Sequence, residues 1–240
     1  MPYIEGFVAA VPTVNKEAYR KHAQEAGAYF KKLGATRLVE CWGDDVPKGA
    51  LTDFYKATQA KDDETPVFSW VEYPDKATRD AANARMRADP RMEEMGKDMP
   101  FDGMRMIYGG FETLVAEGPA GGGTYLDGSV APARATSKDT YRAHSERVTK
   151  KLLEAGALRC VEAWEDDIDD GKVTDFRRAV NSRADEKIVF SWVEWPSRAV
   201  RDAAWAQIMA DPSLAPNEDE AGAVDNRRRI FGGFVPILDQ

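Results

Sequence analysis

The chain has 240 residues, 43% of them hydrophobic, and a formal net charge of −8 with a pI near 5.0. That is enough apolar material for a packed core, and one large domain or two small ones fit the length. The acidic balance argues against nucleic acid and anionic membrane as partners, because both need basic surface.

There is no long apolar run to span a membrane, and the N-terminus lacks the basic-then-apolar pattern of a secretory signal. Cys41 and Cys160 are the two cysteines and do not fall on matching positions of the internal repeat described below. Two buried free thiols in a reducing cytoplasm is the simplest reading.

In chain order, Tyr3–Val11 reads as a strand, and Pro12 ends it. Asn15 is placed to cap a helix through Leu33, with Gly34 as its stop and an apolar stripe at Tyr19, Ala23, Ala26, Phe30 and Leu33. Arg37–Asp45 alternates as a second strand. Segment 46–65 is ambiguous, with Thr52–Thr58 as a short extra strand or turn. Val67–Tyr73 is a third strand ended by Pro74. Asp75 caps a second helix that stops before Asp89-Pro90, and Arg105–Leu114 is a fourth strand.

The pattern then starts again. A shift of 122 residues lays 3–90 on 125–212 without a gap: Tyr19-Arg20-x-His22 meets Tyr141-Arg142-x-His144, and Phe68-Ser69-Trp70-Val71-Glu72 meets Phe190-Ser191-Trp192-Val193-Glu194. One extra residue enters later, so Ile107-Tyr108-Gly109-Gly110-Phe111 meets Ile230-Phe231-Gly232-Gly233-Phe234. Residues 1–115 and 125–240 are thus two repeats joined by a Gly-rich linker over 116–124. Each reads βαββαβ, the ferredoxin-like pattern. A four-stranded sheet with both helices on one side leaves its other face bare. The expectation is an α+β fold in which the two sheets pack face to face, an intramolecular dimeric α/β barrel. Further homo-oligomerisation stays open.

Alternation sorts the strand faces. On strand two, Glu40 and Trp42 are expected in the barrel interior, with Val39 and Cys41 toward the helices. On strand three, Phe68, Trp70 and Glu72 are expected inside. Glu162, Trp164, Phe190, Trp192 and Glu194 are their partners across the barrel, and Tyr3, Glu5, Tyr125 and Asp127 are candidates to join them. Carboxylates beside aromatics in a partly dry cavity have raised pKa values and suit general acid–base work. Glu40, Glu162, Glu72 and Glu194 are therefore the candidate catalytic residues. Trp42, Trp70, Trp164, Trp192, Phe68, Phe190 and Asp102 are the candidate substrate contacts. The competing reading pairs these glutamates with Arg37, Arg105, Arg159 or Arg228 to fix the halves together.

His22 and His144 are the only histidines. They read as helix-to-sheet packing residues, with a proton shuttle as the alternative. Asp102-Gly103 is a turn at a barrel opening, flanked by Met92, Met95 and Met99. Asp44-Asp45 and Asp166-Asp167 read as solvated strand ends. No metal-ligand spacing, catalytic triad or cofactor motif stands out.

The runs Glu40-Cys41-Trp42-Gly43-Asp44-Asp45-Val46-Pro47, Val67–Pro74 and Met99–Phe111 resemble the YbaA-like proteins, small bacterial proteins of the dimeric α/β-barrel superfamily without an assigned function. The resemblance covers nearly the whole chain as two tandem copies. It implies the barrel fold. The superfamily spans cofactor-independent monooxygenases, isomerases, lyases, haem-degrading enzymes and stress-response proteins, so it implies no one activity. The expected function is binding of a small organic molecule between the repeats, with carboxylate-assisted proton transfer or cofactor-independent oxygenation. A non-enzymatic binding or stress-response protein with a packed interior is the alternative. The copies also depart from each other: Gly222-Ala223-Val224-Asp225-Asn226 stands where the first has Met99-Pro100-Phe101-Asp102-Gly103. Fusion frees two sites from the identity that symmetry imposes on a homodimer.

Overall fold

The computed structural model describes residues 1–215, 217 and 220–240, with the side chains of residues 92–95 and 213 outside the description. The first repeat runs β1 (Tyr3–Pro12), α1 (Lys16–Lys32), β2 (Arg37–Asp45), a helical turn α2 (Phe54–Ala57), β3 (Glu64–Tyr73), α3 (Lys76–Ala88), α4 (Pro90–Lys97) and β4 (Ile107–Glu117). The second runs β5 (Tyr125–Arg134), α5 (Lys138–Glu154), β6 (Arg159–Asp167), α6 (Phe176–Ala179), β7 (Glu186–Trp195), α7 (Arg198–Ala210) and β8 (Ile230–Asp239). No described helix is long and apolar enough to cross a membrane.

The eight strands close into one antiparallel barrel in the order β1-β3-β2-β8-β5-β7-β6-β4. Within each repeat the first strand is flanked by the third and fourth. The last strand of each repeat also pairs with the second strand of the other, β4 with β6 and β8 with β2. The repeats are therefore joined by main-chain hydrogen bonds along both seams, which leaves no sheet edge open.

Local sequence accounts for most element ends. Asp75 Oδ1 accepts from the Thr78 N–H at 2.7 Å, and Ser197 Oγ accepts from the Val200 N–H at 3.3 Å, each capping its helix. Asn15 sits at the N-cap of α1, but its side chain instead donates to the Pro100 carbonyl at 2.9 Å. Thr52–Thr58 is neither strand nor open turn. Asp53 caps the single turn α2 by accepting from the Lys56 N–H at 2.7 Å. Asp89-Pro90 ends α3 as expected but also opens a further helix, α4, with Asp89 as its cap and proline as a favoured first helical residue.

The barrel interior is solid. Phe68 stacks on Phe190 with centroids 4.5 Å apart and planes within 6°, and Trp70 stacks on Trp192 at 4.3 Å. These central rings fit because Gly6 and Gly128 lie opposite them. A Cβ at Gly6 would stand 2.9 Å from Phe190, and one at Gly128 would stand 2.8 Å from Phe68. Phe54 and Phe176, from α2 and α6, pack edge-on against the phenylalanines. Thr52 Oγ1 donates to the Ala179 carbonyl and Thr174 Oγ1 to the Ala57 carbonyl, holding these two turns together.

Past the tryptophans lies a buried ionic layer. Arg159 binds Glu72 in bidentate fashion at 2.7 and 2.8 Å, and Arg37 binds Glu194 at 2.8 and 3.0 Å, so each pair spans the two repeats. The indole N–H groups of Trp70 and Trp192 donate to the same two carboxylates. The strand-end aspartates are not merely solvated. Asp166 accepts from the Tyr3 hydroxyl at 2.8 Å and Asp167 from Arg79 at 2.6 Å. Asp44 accepts from Tyr125 and Arg198, and Asp45 from Arg201. They latch each repeat to the second helix of the other.

Candidate functional site

The face assignment of strand two is reversed. Val39 and Cys41 belong to the interior cluster with Phe68 and Trp70, while Glu40 and Trp42 lie on the outer face beneath α1. The barrel axis already takes four tryptophan and phenylalanine rings from β3 and β7, and Val39, Cys41, Val161 and Ala163 are what fits beside them. Tyr3, Glu5, Tyr125 and Asp127 are likewise on the helix side. Ile4, Val8, Leu126 and Val130 point inward instead. Phe68, Trp70 and Glu72, with Phe190, Trp192 and Glu194, are inside as expected.

Glu72 and Glu194 are saturated by arginine. Burial pushes Glu72 upward, but Arg159 and Arg37 outweigh it and hold the carboxyl below its ordinary value. This geometry is that of a clamp between halves. Arg105 and Arg228 serve a different pair, binding Glu64 and Glu186 at the start of each third strand. Asp102 is exposed and accepts from the Met104 N–H and from Arg105, which makes it a turn cap. The Met92 and Met95 side chains lie outside the described residues. Trp42 packs beside Tyr19 at 6.4 Å with Lys16 over its ring, and Trp164 packs beside Tyr141.

The open space is elsewhere. A cavity of about 220 Å³ lies between α1 and the outer face of the first sheet. Its walls come from Phe7 on β1, Ala23, Ala26 and Phe30 on α1, and Met99, Phe101 and Met106 before β4. Glu40 and Ser69, directly opposite each other in the β2–β3 register, supply polar groups with Tyr19 and His22. No lysine or arginine lines it among the described residues.

The Tyr19 hydroxyl donates to Glu40 Oε2 at 2.5 Å, and the Ser69 hydroxyl donates to the same oxygen. Oε1 accepts no hydrogen bond from the described residues. Burial without a compensating cation raises the Glu40 carboxyl to about 7, despite the opposing effect of the two hydroxyls. Tyr19 is pushed well above its ordinary value by burial and by Glu40, so it stays a donor. His22 faces the Phe101 ring at 6.2 Å, and burial lowers its pKa.

His22, expected as a helix-to-sheet packing residue, lies on the wall of this cavity. The signal was nonetheless present. Tyr19-x-x-His22 places both side chains on one helical face, and Ser69 lies between the two interior residues Phe68 and Trp70, which turns it toward the helix.

The family model described as a protein of unknown function, DUF1428, matches residues 2–103 and again 124–225. The chain belongs to the DUF1428 family. Among its relatives is YbaA of Escherichia coli strain K12, an uncharacterised protein, 57% identical over 117 residues. That match covers all of YbaA and 49% of this chain. Two solved structures share the barrel at low identity, both named as candidate monooxygenases. One is from Fusobacterium nucleatum, with TM-score 0.59 and 9% identity over 100% of this chain and 94% of that one. The other is from Lactobacillus acidophilus, with TM-score 0.59 and 11% identity over 99% and 95%. At such identity the likeness is one of fold. The DUF1428 chain is a tandem pair closed into a single barrel.

Proposed function

We propose that this DUF1428 protein binds a small, neutral, largely apolar organic molecule in the cleft between α1 and the first sheet, and that Glu40 accepts a hydrogen bond or a proton from it. The observation that carries the reading is Glu40 itself: a carboxyl that titrates near neutrality on the wall of an apolar cavity, with no lysine or arginine among the described residues that line it. A general base works best when its pKa lies near the working pH, and Glu40 meets that condition. A cavity of about 220 Å³ is smaller than the ~300–1,000 Å³ typical of drug-sized ligands, so one or two small rings is the matching size. An anionic ligand is disfavoured, since ionised Glu40 would repel it with nothing to offset the charge. Cofactor-independent oxygenation by a bound, deprotonated aromatic is one chemistry open to such a site, and the two barrel neighbours named as candidate monooxygenases support that direction.

The filled barrel favours a second reading for the interior alone: the space between the sheets serves as an interface, not as a binding chamber.

The test is a fluorescence titration with 2-naphthol, a two-ring neutral hydrogen-bond donor. Wild-type protein is expected to bind it saturably, and Ala26→Trp, which fills the cleft, is expected to abolish binding while keeping the fold. No saturable binding, or equal binding by the filled variant, contradicts the assignment.

A further inference from the structure

The two repeats match through β3 and β7, yet their clefts are built differently. At the positions of Phe7 and Met106, which wall the first cavity, the second repeat has Ser129 and Arg229. Arg229 Nη1 donates to Ser129 Oγ at 3.0 Å, and Ser129 Oγ lies 2.8 Å from Ser191 Oγ. Glu162, the counterpart of Glu40, keeps its 2.5 Å hydrogen bond from Tyr141 and gains the positive charge of Arg229. So an apolar wall in one repeat is a guanidinium–hydroxyl chain in the other.

The mouths differ as well. His144 Nδ1 lies 3.2 Å from Glu220 Oε2, and Arg147 binds both oxygens of Glu220 at 2.6 and 2.9 Å. Glu220 is buried, and Ala223 beside it is buried too. The first repeat has Glu25 where Arg147 stands, so this clasp does not form there, and His22 faces Phe101 instead.

We propose that the fused chain holds a single open ligand cleft, in the first repeat, and that Arg229 and the Glu220 clasp occupy, neutralise and close its counterpart. The protein then binds one ligand per chain where two equivalent half-sites would bind two. The one-ligand form rests on the function proposed above; the difference between the clefts does not.

The test uses xenon, which enters apolar cavities regardless of any ligand's identity. Crystals of the full chain are pressurised with xenon, and the occupied sites are located. The expected result is one xenon, in the cleft between α1 and the first sheet, and a second in the α5 cleft of Arg229→Met. Xenon in both clefts of the wild type, in the second alone, or in neither overturns the proposal. A second cleft that stays empty in Arg229→Met overturns the role given to Arg229. Xenon in the first cleft only, together with no binding of 2-naphthol, upholds the asymmetry and sinks the ligand reading alone.

Discussion

The Tyr19 hydroxyl lies 2.5 Å from Glu40 Oε2, and the same oxygen takes the Ser69 hydroxyl. One helix and two adjacent strands thus converge on a single carboxylate oxygen. The arrangement orients Glu40 without neutralising it. It separates this glutamate from Glu72 and Glu194, each of which is held by a bidentate arginine from the other repeat.

That separation has a pH signature. An unfolded glutamate titrates near 4.3, whereas folded Glu40 titrates at about 7. Between those values the folded state holds the extra proton, so rising pH weakens folding, and above about 7 the loss is complete. Glu40→Gln removes the dependence while keeping an amide for Tyr19 and Ser69. The advantage of the variant over wild type should grow by roughly 2–3 kcal/mol from pH 5 to pH 8, read by urea denaturation at both. A difference that does not change with pH contradicts the raised carboxyl.

The ionic layer should behave oppositely. Arg159→Ala takes both short ion-pair contacts from buried Glu72 and leaves it only Arg37 at 3.5 Å, so the cost at neutral pH should approach the ~3–5 kcal/mol of a broken buried pair. Replacing Glu72 and Arg159 together by leucine should cost far less than the sum of the single changes, since no charge is left unpaired. Denaturant melts of the three variants check this. Additive losses would mean that the pair is not coupled.

Gly128 tests the filled interior. A methyl at Gly128 would stand 2.8 Å from the Phe68 ring, which is itself stacked on Phe190 and has no room to retreat. Gly128→Ala should destabilise by about 1–3 kcal/mol, the usual cost of overpacking. An unchanged melting temperature would indicate space between the sheets that the packing does not show.

The latches are worth less. Asp167 is exposed where it meets Arg79, so Asp167→Asn should cost no more than about 1 kcal/mol, and less at high salt. A loss of several kcal/mol, by chemical denaturation in low salt, would show that the seams depend on these pairs more than on their strand hydrogen bonds.

The barrel is legible because repeats, alternation and turn residues agree: the 122-residue shift alone implies two matching sheets, and period two puts Phe68, Trp70 and Glu72 on one face, whose aromatic rings mark it as the interior. The site was not legible for one reason. Alternation gives two faces but not which is inside, and Glu40 beside Trp42 looked like a pocket lining when Val39 and Cys41 were the residues small enough for the axis. With Glu40 on the outer face of β2, the candidate site lies in the helix cleft and not in the barrel. Helix α4 escaped because Asp-Pro signals a helix start as well as a stop.

Glu40 itself can be watched directly. Carbon-13 NMR of protein labelled at glutamate side-chain carboxyls, titrated from pH 4 to 9, should show a resonance with a midpoint near 7 that is missing in Glu40→Gln and that shifts when 2-naphthol is added. If the resonance lost in Glu40→Gln titrates in the ordinary carboxylate range, or ignores the added naphthol, then Glu40 is not the proton acceptor of an open cleft and the account fails.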